Sequence, residues 1–102
     1  MEGHAVIKTK IKCEAIRRGS SVEFKGVLEL PRNYNPKEIP AVFLEGVNAD
    51  HRFLSRQAVT VPVDSTGRFM GIIREAKFPS GVCMFAGTNT LSSAFSGFVP
   101  VK

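Results

Sequence analysis

The fold class follows from residues 59–69, which read Val59-Thr60-Val61-Pro62-Val63-Asp64-Ser65-Thr66-Gly67-Arg68-Phe69. Valine at every second position is typical of a strand with one buried face. Residues 64–67 predict a tight turn, because Asp64 favours turns and Gly67 can adopt a positive φ. We therefore expect a β-hairpin in which the strand that begins at Arg68 pairs antiparallel with the valine strand.

Similar alternation recurs along the chain and predicts strands at residues 4–15, 21–30, 39–47, 57–63, 69–74, 82–86 and 94–101, with a short extra edge piece at 52–55. Pro62 lacks an amide donor, so strand 57–63 is expected either at a sheet edge or with this position facing outward, whereas the apolar strand 39–47 is expected at the centre. Seven short strands without a helical period predict an all-β fold. We expect residues 1–102 to form a single two-sheet antiparallel sandwich, with a small β-barrel as the alternative.

A second stretch, residues 78–87, reads Phe78-Pro79-Ser80-Gly81-Val82-Cys83-Met84-Phe85-Ala86-Gly87. Together with residues 59–69 it resembles the second half of an immunoglobulin-like or fibronectin-type-III-like bacterial sandwich domain. In such domains an Asp-x-x-Gly turn joins two strands, and a Pro-x-Gly turn precedes the strand across the core. The resemblance implies an immunoglobulin-like sandwich that serves as a non-catalytic accessory, adhesive or ligand-binding module of a larger exported protein.

The two cysteines, Cys13 and Cys83, are too few for a disulfide framework and lack the close spacing of zinc ligands. We expect both to be buried, reduced thiols. The chain has no apolar run long enough to span a bilayer, and its first residues lack the basic and apolar pattern of a signal peptide. These features predict a cytoplasmic protein without a membrane partner.

Candidate catalytic residues are few. The only histidines are His4, near the N-terminus, and His51, which follows Asp50 in a segment expected to be a solvated loop. Neither cysteine lies in a nucleophile motif, and no set of side chains has metal-ligand spacing. Gly67 and Gly71 are not followed by a helix pattern that would bind phosphate. The sequence therefore predicts no enzyme activity, no metal and no cofactor.

The net charge of +5 permits an acidic partner. Alternation places Lys8, Lys10 and Lys12 on one face of the first strand, and nucleic acid along this basic stripe is the alternative function of the protein. The stripe lacks the aromatic side chains that stack on bases. We favour the simpler interpretation, in which lysines keep an edge strand from pairing with other chains.

The last quarter of the chain has the opposite character, because no charged residue occurs between Phe78 and Val101. Neighbouring strands without charge are expected to leave an apolar outward face, and such faces mark interfaces. This pattern predicts a non-catalytic binding module that acts through self-association or docking on a protein. Alternation does not settle whether Phe95 or Phe98 points outward.

Candidate ligand-binding loops follow from strand order. The connections at 31–37, 64–67 and 87–90 each follow an even-numbered strand when the piece at 52–55 is left out, so they should meet at one end of a sandwich. Their side chains combine one aromatic ring, one cation and several hydrogen-bonding groups, a composition suited to recognition. The candidate residues are Arg32, Asn33, Tyr34, Asn35, Asp64, Thr66, Thr88 and Asn89.

Overall fold

A computed structural model describes residues 6–32, 34 and 41–102 of the chain. Its strands are β1 (Lys10–Arg18), β2 (Ser21–Glu29), β3 (Ala41–Val47), β4 (Phe53–Pro62), β5 (Arg68–Ile73), β6 (Ser80–Phe85), β7 (Ala94–Phe95) and β8 (Val99–Pro100). Within the described ranges, no helix has the length and apolar character needed to cross a bilayer.

The strands form two antiparallel sheets that pack together. The first sheet has the order β1-β2-β5, and the second has the order β4-β3-β6-β7, with β8 also paired to β6. The prediction of an all-β, two-sheet sandwich is confirmed. The predicted places of the third and fourth strands are confirmed as well, since β3 lies between two neighbours and β4 lies at an edge.

Alternate residues of both sheets meet in a core between them. Phe24 of β2 and Phe78 are buried there, with ring centroids 6.3 Å apart. Each such side chain stabilises the fold by roughly 2 kcal/mol through the apolar surface it removes from water. Gly46 of β3 makes room for Phe78, because a Cβ at this position would overlap the ring.

A disulfide between Cys13 of β1 and Cys83 of β6 joins the two sheets, with Cα atoms 6.7 Å apart. The prediction of two reduced thiols is therefore wrong. Alternation does point Cys13 toward the core, but its partner lies in the opposite sheet at a sequence separation of 70 residues. Strand periodicity specifies the face of a residue and carries no information about which residue lies across the core.

The turn at 64–67 forms as expected, with Gly67 at φ 86° and its amide donating to the Asp64 carbonyl at 3.0 Å. The predicted hairpin is wrong, however, because β4 pairs with β3 while β5 pairs with β2. The amide of Leu28 donates to the Gly67 carbonyl at 2.7 Å, so pairing with β2 begins at the last residue of the turn. The turn thus carries the chain from one sheet to the other.

Several predicted strands have different bounds in the structure. The first, expected at 4–15, is observed as β1 at Lys10–Arg18. The edge piece at 52–55 and strand 57–63 are parts of one strand, β4, which contains a bulge: Glu45 pairs with Ala58 while Gly46 pairs with Leu54. The last predicted strand is divided into β7 and β8, with Gly97 at φ 78° between them. This break changes which side chains near the C-terminus point outward.

Candidate functional site

The predicted loop end is partly assembled in the structure. The Tyr34 hydroxyl lies 2.8 Å from the Ser65 carbonyl oxygen and 3.3 Å from that of Asp64, so the first loop contacts the 64–67 turn. The 87–90 turn lies at the same end, because the end of β6 pairs with the start of β3, which pairs with the end of β4 just before the 64–67 turn. Asn33 and Asn35 lie outside the described residues.

Most polar groups at this end bond within their own turns. Asp64 Oδ1 accepts from the Thr66 amide at 2.8 Å, the Thr66 hydroxyl at 2.6 Å and the Arg68 amide at 3.0 Å. These hydrogen bonds lower the pKa of Asp64, and the bond from the Thr66 hydroxyl has the largest effect. The Thr88 hydroxyl accepts from the Leu91 amide at 3.0 Å. Arg32 and Asn89 are exposed. Binding by these loops stays a prediction.

The basic stripe is interrupted by acidic side chains. Lys8, Lys10 and Lys12 are all exposed, but Lys8 precedes β1. Lys10 lies opposite Glu29, and Glu14 on the same face pairs with Lys102 at 3.8 Å. The outer face of the first sheet is therefore a mixture of both charges.

A cluster of four aromatic side chains lies on the outer face of the second sheet. This aromatic cluster consists of His51, Phe53, Phe95 and Phe98. The His51 ring stacks on Phe98 at a centroid distance of 4.8 Å, while Phe53 and Phe95 each meet Phe98 edge-on at 6.3 Å. Phe53, Phe95 and Phe98 are 47%, 52% and 48% exposed. Phe95 and Phe98 therefore both point outward.

Two of these rings reach across the sheet. Phe53 lies on β4 and Phe98 adjoins β8, with β3 and β6 between them, so their backbones are about 14 Å apart at the usual strand spacing. Since the ring centroids are only 6.3 Å apart, the side chains lean toward each other over the two central strands. This arrangement explains why the outward residues Val47 and Val82 are fully buried.

Glu45 is buried in the same region. It takes an outward position on β3, with Ala58 and Val82 as its cross-strand neighbours, and only 5% of its surface is exposed. Within the described part of the chain, the recorded salt bridges do not include Glu45. Burial raises the pKa of this carboxyl above its ordinary range, because an apolar setting disfavours the charged form.

A groove lies on the same outer face, and Glu45 is not among the residues that line it. The residues Thr60, Phe43, Met84 and Phe95 are successive pairing partners across β4, β3, β6 and β7, and together they form one row of the outer face. They line a groove of about 820 Å³ whose lining includes no charged residue. Phe95 belongs both to the groove and to the aromatic cluster.

Three members of this face were missed in the sequence. The absence of charge after Phe78 pointed to Phe95 and Phe98. The other three residues, His51, Phe53 and Glu45, belong to the β3–β4 region, and the sequence does not show that this region lies beside β6 in the sheet. The available signal was Glu45 itself, a single carboxylate within the otherwise apolar strand Ala41–Val47. Among the residues with described positions, His, Cys, Asp and Glu form no group of three or more suited to a metal ion.

Comparison of the chain with protein-family models, with curated proteins and with solved structures found no match in any of the three. Its function must be inferred from the geometry of the fold and of this face.

Proposed function

We propose that the domain is a non-catalytic interaction module that self-associates through the outer face of its second sheet. The observation that carries this proposal is the aromatic cluster, in which three phenylalanines lie side by side with about half of each exposed. A contiguous apolar patch is costly to leave in water and marks an interface. Aromatic residues and Met are also enriched in interface cores, and charged residues are depleted there.

Two of the sheet edges, β4 and β1, are poor sites for association. The β4 edge is distorted by the bulge beside Glu45 and carries Pro62, two devices that oppose strand addition. The free side of β1 is bridged at Ala15 by Val101 of the C-terminal segment. Contact through a sheet face is therefore favoured over contact through either of these two edges.

The distribution of charge favours a second copy of the chain as the partner. The protein has a net charge of +5, so two copies repel each other through surfaces rich in cations. The exposed cations on the outer face of the first sheet alternate with core residues along their strands, so they point away from the second sheet. They are Lys10, Lys12, Arg18, Lys25 and Arg68. Two copies that meet through their second sheets keep these charges apart.

A pair of matched substitutions tests the proposal. Phe95→Glu and Phe98→Glu should each give a folded monomer, because a charge at an apolar contact must be desolvated on association. Met70→Glu is the control. Met70 is 54% exposed on β5 of the opposite sheet, so this substitution should leave association unchanged. Sedimentation equilibrium over a range of micromolar concentrations measures the mass. A wild-type protein that is monomeric throughout, or an equal effect of Met70→Glu, would overturn the proposal.

We propose no catalytic role for Asp50 or His51. The His51 ring is stacked on Phe98, which gives the imidazole a packing function. The residue lies in the β3–β4 turn at φ 61°, and the Asp50 amide donates to Asn48 Oδ1 at 2.9 Å in the same turn. These contacts support a structural role for this turn.

Membership of the immunoglobulin-like group is also a proposal. The order β1-β2-β5 corresponds to A-B-E of an immunoglobulin sandwich, and β3-β6-β7 corresponds to C-F-G. One feature differs from antibody domains: the disulfide joins the first strand, rather than the second, to the sixth. The strand order supports the architectural resemblance and says nothing specific about a ligand.

Nucleic-acid binding is the second candidate function. One observation favours it, a depression of about 710 Å³ at the first sheet. Its lining includes three cations, Lys12, Lys25 and Arg68, against two carboxylates, Glu14 and Asp64. Retention of oligonucleotides with a steep dependence on salt would support this function. Lys12→Glu should then weaken retention, while Phe98→Glu should have no effect.

The disulfide also changes the expected location of the protein. The prediction of a cytoplasmic protein relied on the lack of a signal-peptide pattern together with reduced thiols, and disulfides persist mainly in oxidising compartments. We propose that the domain folds in such a compartment. Titration of thiols after denaturation without reductant should find none in material recovered from its natural source; two free thiols would contradict this proposal.

A further inference from the structure

The first sheet ends at β5, and the outer edge of this strand is open. β5 pairs with β2 on one side only. The Leu28 amide donates to the Gly67 carbonyl, and this bond fixes which backbone groups face β2. In the register of the two strands, the odd-numbered residues of β5 direct their amides and carbonyls toward β2, and the even-numbered residues direct theirs away from it.

The backbone groups of Arg68 on this edge are satisfied by the 64–67 turn. Its carbonyl accepts from the Asp64 amide at 2.9 Å, and its amide donates to Asp64 Oδ1 at 3.0 Å. Met70 and Ile72 have no such partner: within the described residues, neither their amides nor their carbonyls form a hydrogen bond. The middle of β5 thus offers alternating donors and acceptors, as in a β-ladder that lacks its next strand.

The edges of β1 and β4 are protected against pairing. On β1, the Arg17 amide donates to the Lys102 carbonyl and the Lys102 amide donates to the Ala15 carbonyl, both at 2.9 Å. On β4, the bulge and Pro62 interrupt the edge. β5, in contrast, pairs with β2 in an unbroken register and contains neither Pro nor Lys. An unprotected, regular edge of this kind favours the addition of another strand.

Apolar side chains flank the edge on both faces of the sheet. Met70 and Ile72 are 54% and 50% exposed on the outer face. On the inner face, Val59 of β4 lies so close to Gly71 that a Cβ there would be 3.6 Å from its Cγ1 atom, yet Val59 is only half-buried. The core is incompletely covered here because the first sheet has no strand beyond β5. A strand added beside β5 would bury apolar surface on both faces.

The charges beside the edge favour an acidic partner. Arg68 and Arg74 are exposed at the two ends of the open stretch, and neither forms a salt bridge within the part of the chain that the structure describes. Glu23 on β2 is engaged by two cations of its own sheet, at 3.6 and 3.8 Å, and Asp64 accepts hydrogen bonds within its turn. Glu75, which follows Arg74, offsets only part of the positive charge.

A second copy of the chain fits this edge poorly. If two β5 strands paired antiparallel so that Met70 of each met Ile72 of the other, Arg68 would lie opposite Arg74 at both ends. Like charges directly opposite each other destabilise a strand pair. The edge therefore suits a segment of a different protein.

We propose that the open edge of β5 binds an extended, acidic segment of another protein, which adds to the first sheet as an antiparallel strand. Its backbone pairs with Met70 and Ile72, and two carboxylates lie opposite Arg68 and Arg74. The residue midway between them is apolar and covers Val59. In this mode of recognition main-chain hydrogen bonds provide affinity and alternate side chains provide specificity. The site lies on the first sheet and does not depend on the proposed self-association through the second.

The probe is the blocked peptide Glu-Val-Thr-Val-Thr-Val-Glu, whose glutamates have the spacing of Arg68 and Arg74. Fluorescence anisotropy of the labelled peptide measures affinity, and amide chemical shifts of the protein locate the site. We expect the largest shifts on β5, and at least about tenfold weaker binding when lysine replaces both glutamates. Binding of neither peptide, equal binding of both, or shifts confined to the second sheet would overturn the proposal.

N-methylation of the peptide tests strand addition separately from charge. In the proposed register the amides of its third and fifth residues donate to β5, whereas the amide of its fourth residue points away. Methylation of the third and fifth amides should weaken binding at least about tenfold, because their hydrogen bonds are lost. Methylation of the fourth amide is the matched control and should change the affinity less than about threefold. Equal effects of the two modifications would contradict the pairing.

Variants of the protein test the same edge. Met70→Pro removes an amide that does not pair with β2, so this variant should keep its fold and lose the peptide. Arg74→Glu should reduce the preference for the glutamate peptide to less than about threefold. Lys12→Glu is the matched control, because it makes the same change in charge on β1, two strands away, and should keep the preference. Wild-type affinity in a folded Met70→Pro variant, or an unchanged preference in Arg74→Glu, would refute the assignment of the edge.

Discussion

Glu45 brings a carboxyl group into an apolar setting, and this should be measurable as a dependence of stability on pH. Burial raises its pKa in the folded state, so the folded protein holds the proton to higher pH than the unfolded chain does. The resulting destabilisation is absent at pH values below the ordinary Glu range. This destabilisation grows as the pH rises from the pKa of Glu45 in the unfolded chain to its pKa in the folded protein. It reaches its full size above the folded-state pKa.

The variant Glu45→Gln removes this titration. We expect it to be more stable than the wild type at neutral pH, with a difference that shrinks as the pH falls toward the ordinary Glu range, because a neutral amide costs less to bury than a charge. Urea denaturation of both proteins across that range measures the difference. Parallel stability curves would show that the Glu45 pKa is the same in the folded and unfolded states.

The residues of the candidate face show what a single sequence contains and what it lacks. The uncharged run from residue 78 to residue 101 was visible, and it led to Phe95 and Phe98. The contact of Phe98 with His51 and Phe53 was not visible, because it depends on the order of strands in the sheet. Local alternation assigns each residue a face, but only long-range pairing brings distant residues of that face together.

At the scale of single elements, the turn at 64–67 illustrates the same limit. Its residues specify a turn, and Asp64 and Gly67 form one with the expected hydrogen bonds. A turn does not specify that its two flanking strands pair with each other. Here β5 pairs with β2 instead of with β4, so the turn connects two sheets. The prediction of the fold class is unaffected by this error, because β5 buries the same alternating face whether it pairs with β4 or with β2.

Gly67 and Gly19 allow the contribution of this turn to be measured. Both glycines have positive φ, 86° and 63°, but a Cβ at Gly67 would overlap the Leu28 carbonyl oxygen, whereas Gly19 has open space around it. We expect Gly19→Ala to cost about 1 kcal/mol from backbone strain alone. Gly67→Ala should cost more than about 2 kcal/mol, since the turn must also move away from β2. Equal losses in thermal or urea denaturation would contradict the close approach of the turn to β2.

For the whole molecule, the disulfide is the strongest single constraint between the two sheets. Its sequence separation of 70 residues makes the entropic effect on the unfolded chain large, about 4 kcal/mol in the loop-closure model. A domain of this size has a total stability of roughly 5–15 kcal/mol. The double variant Cys13→Ala/Cys83→Ala should therefore lose a substantial part of its stability. Urea denaturation of both proteins, with and without reductant, measures the loss; a wild type whose stability is unaffected by reductant would contradict the cross-link.

The central claim is that copies of this domain meet through the outer face of the second sheet. The most direct measurement is the change of amide chemical shifts in labelled protein between dilute and concentrated solution. The shifts should change around Phe53, Phe95 and Phe98, and stay constant on β1, β2 and β5. Shifts that are independent of concentration, or that change on the first sheet instead, would contradict the claim.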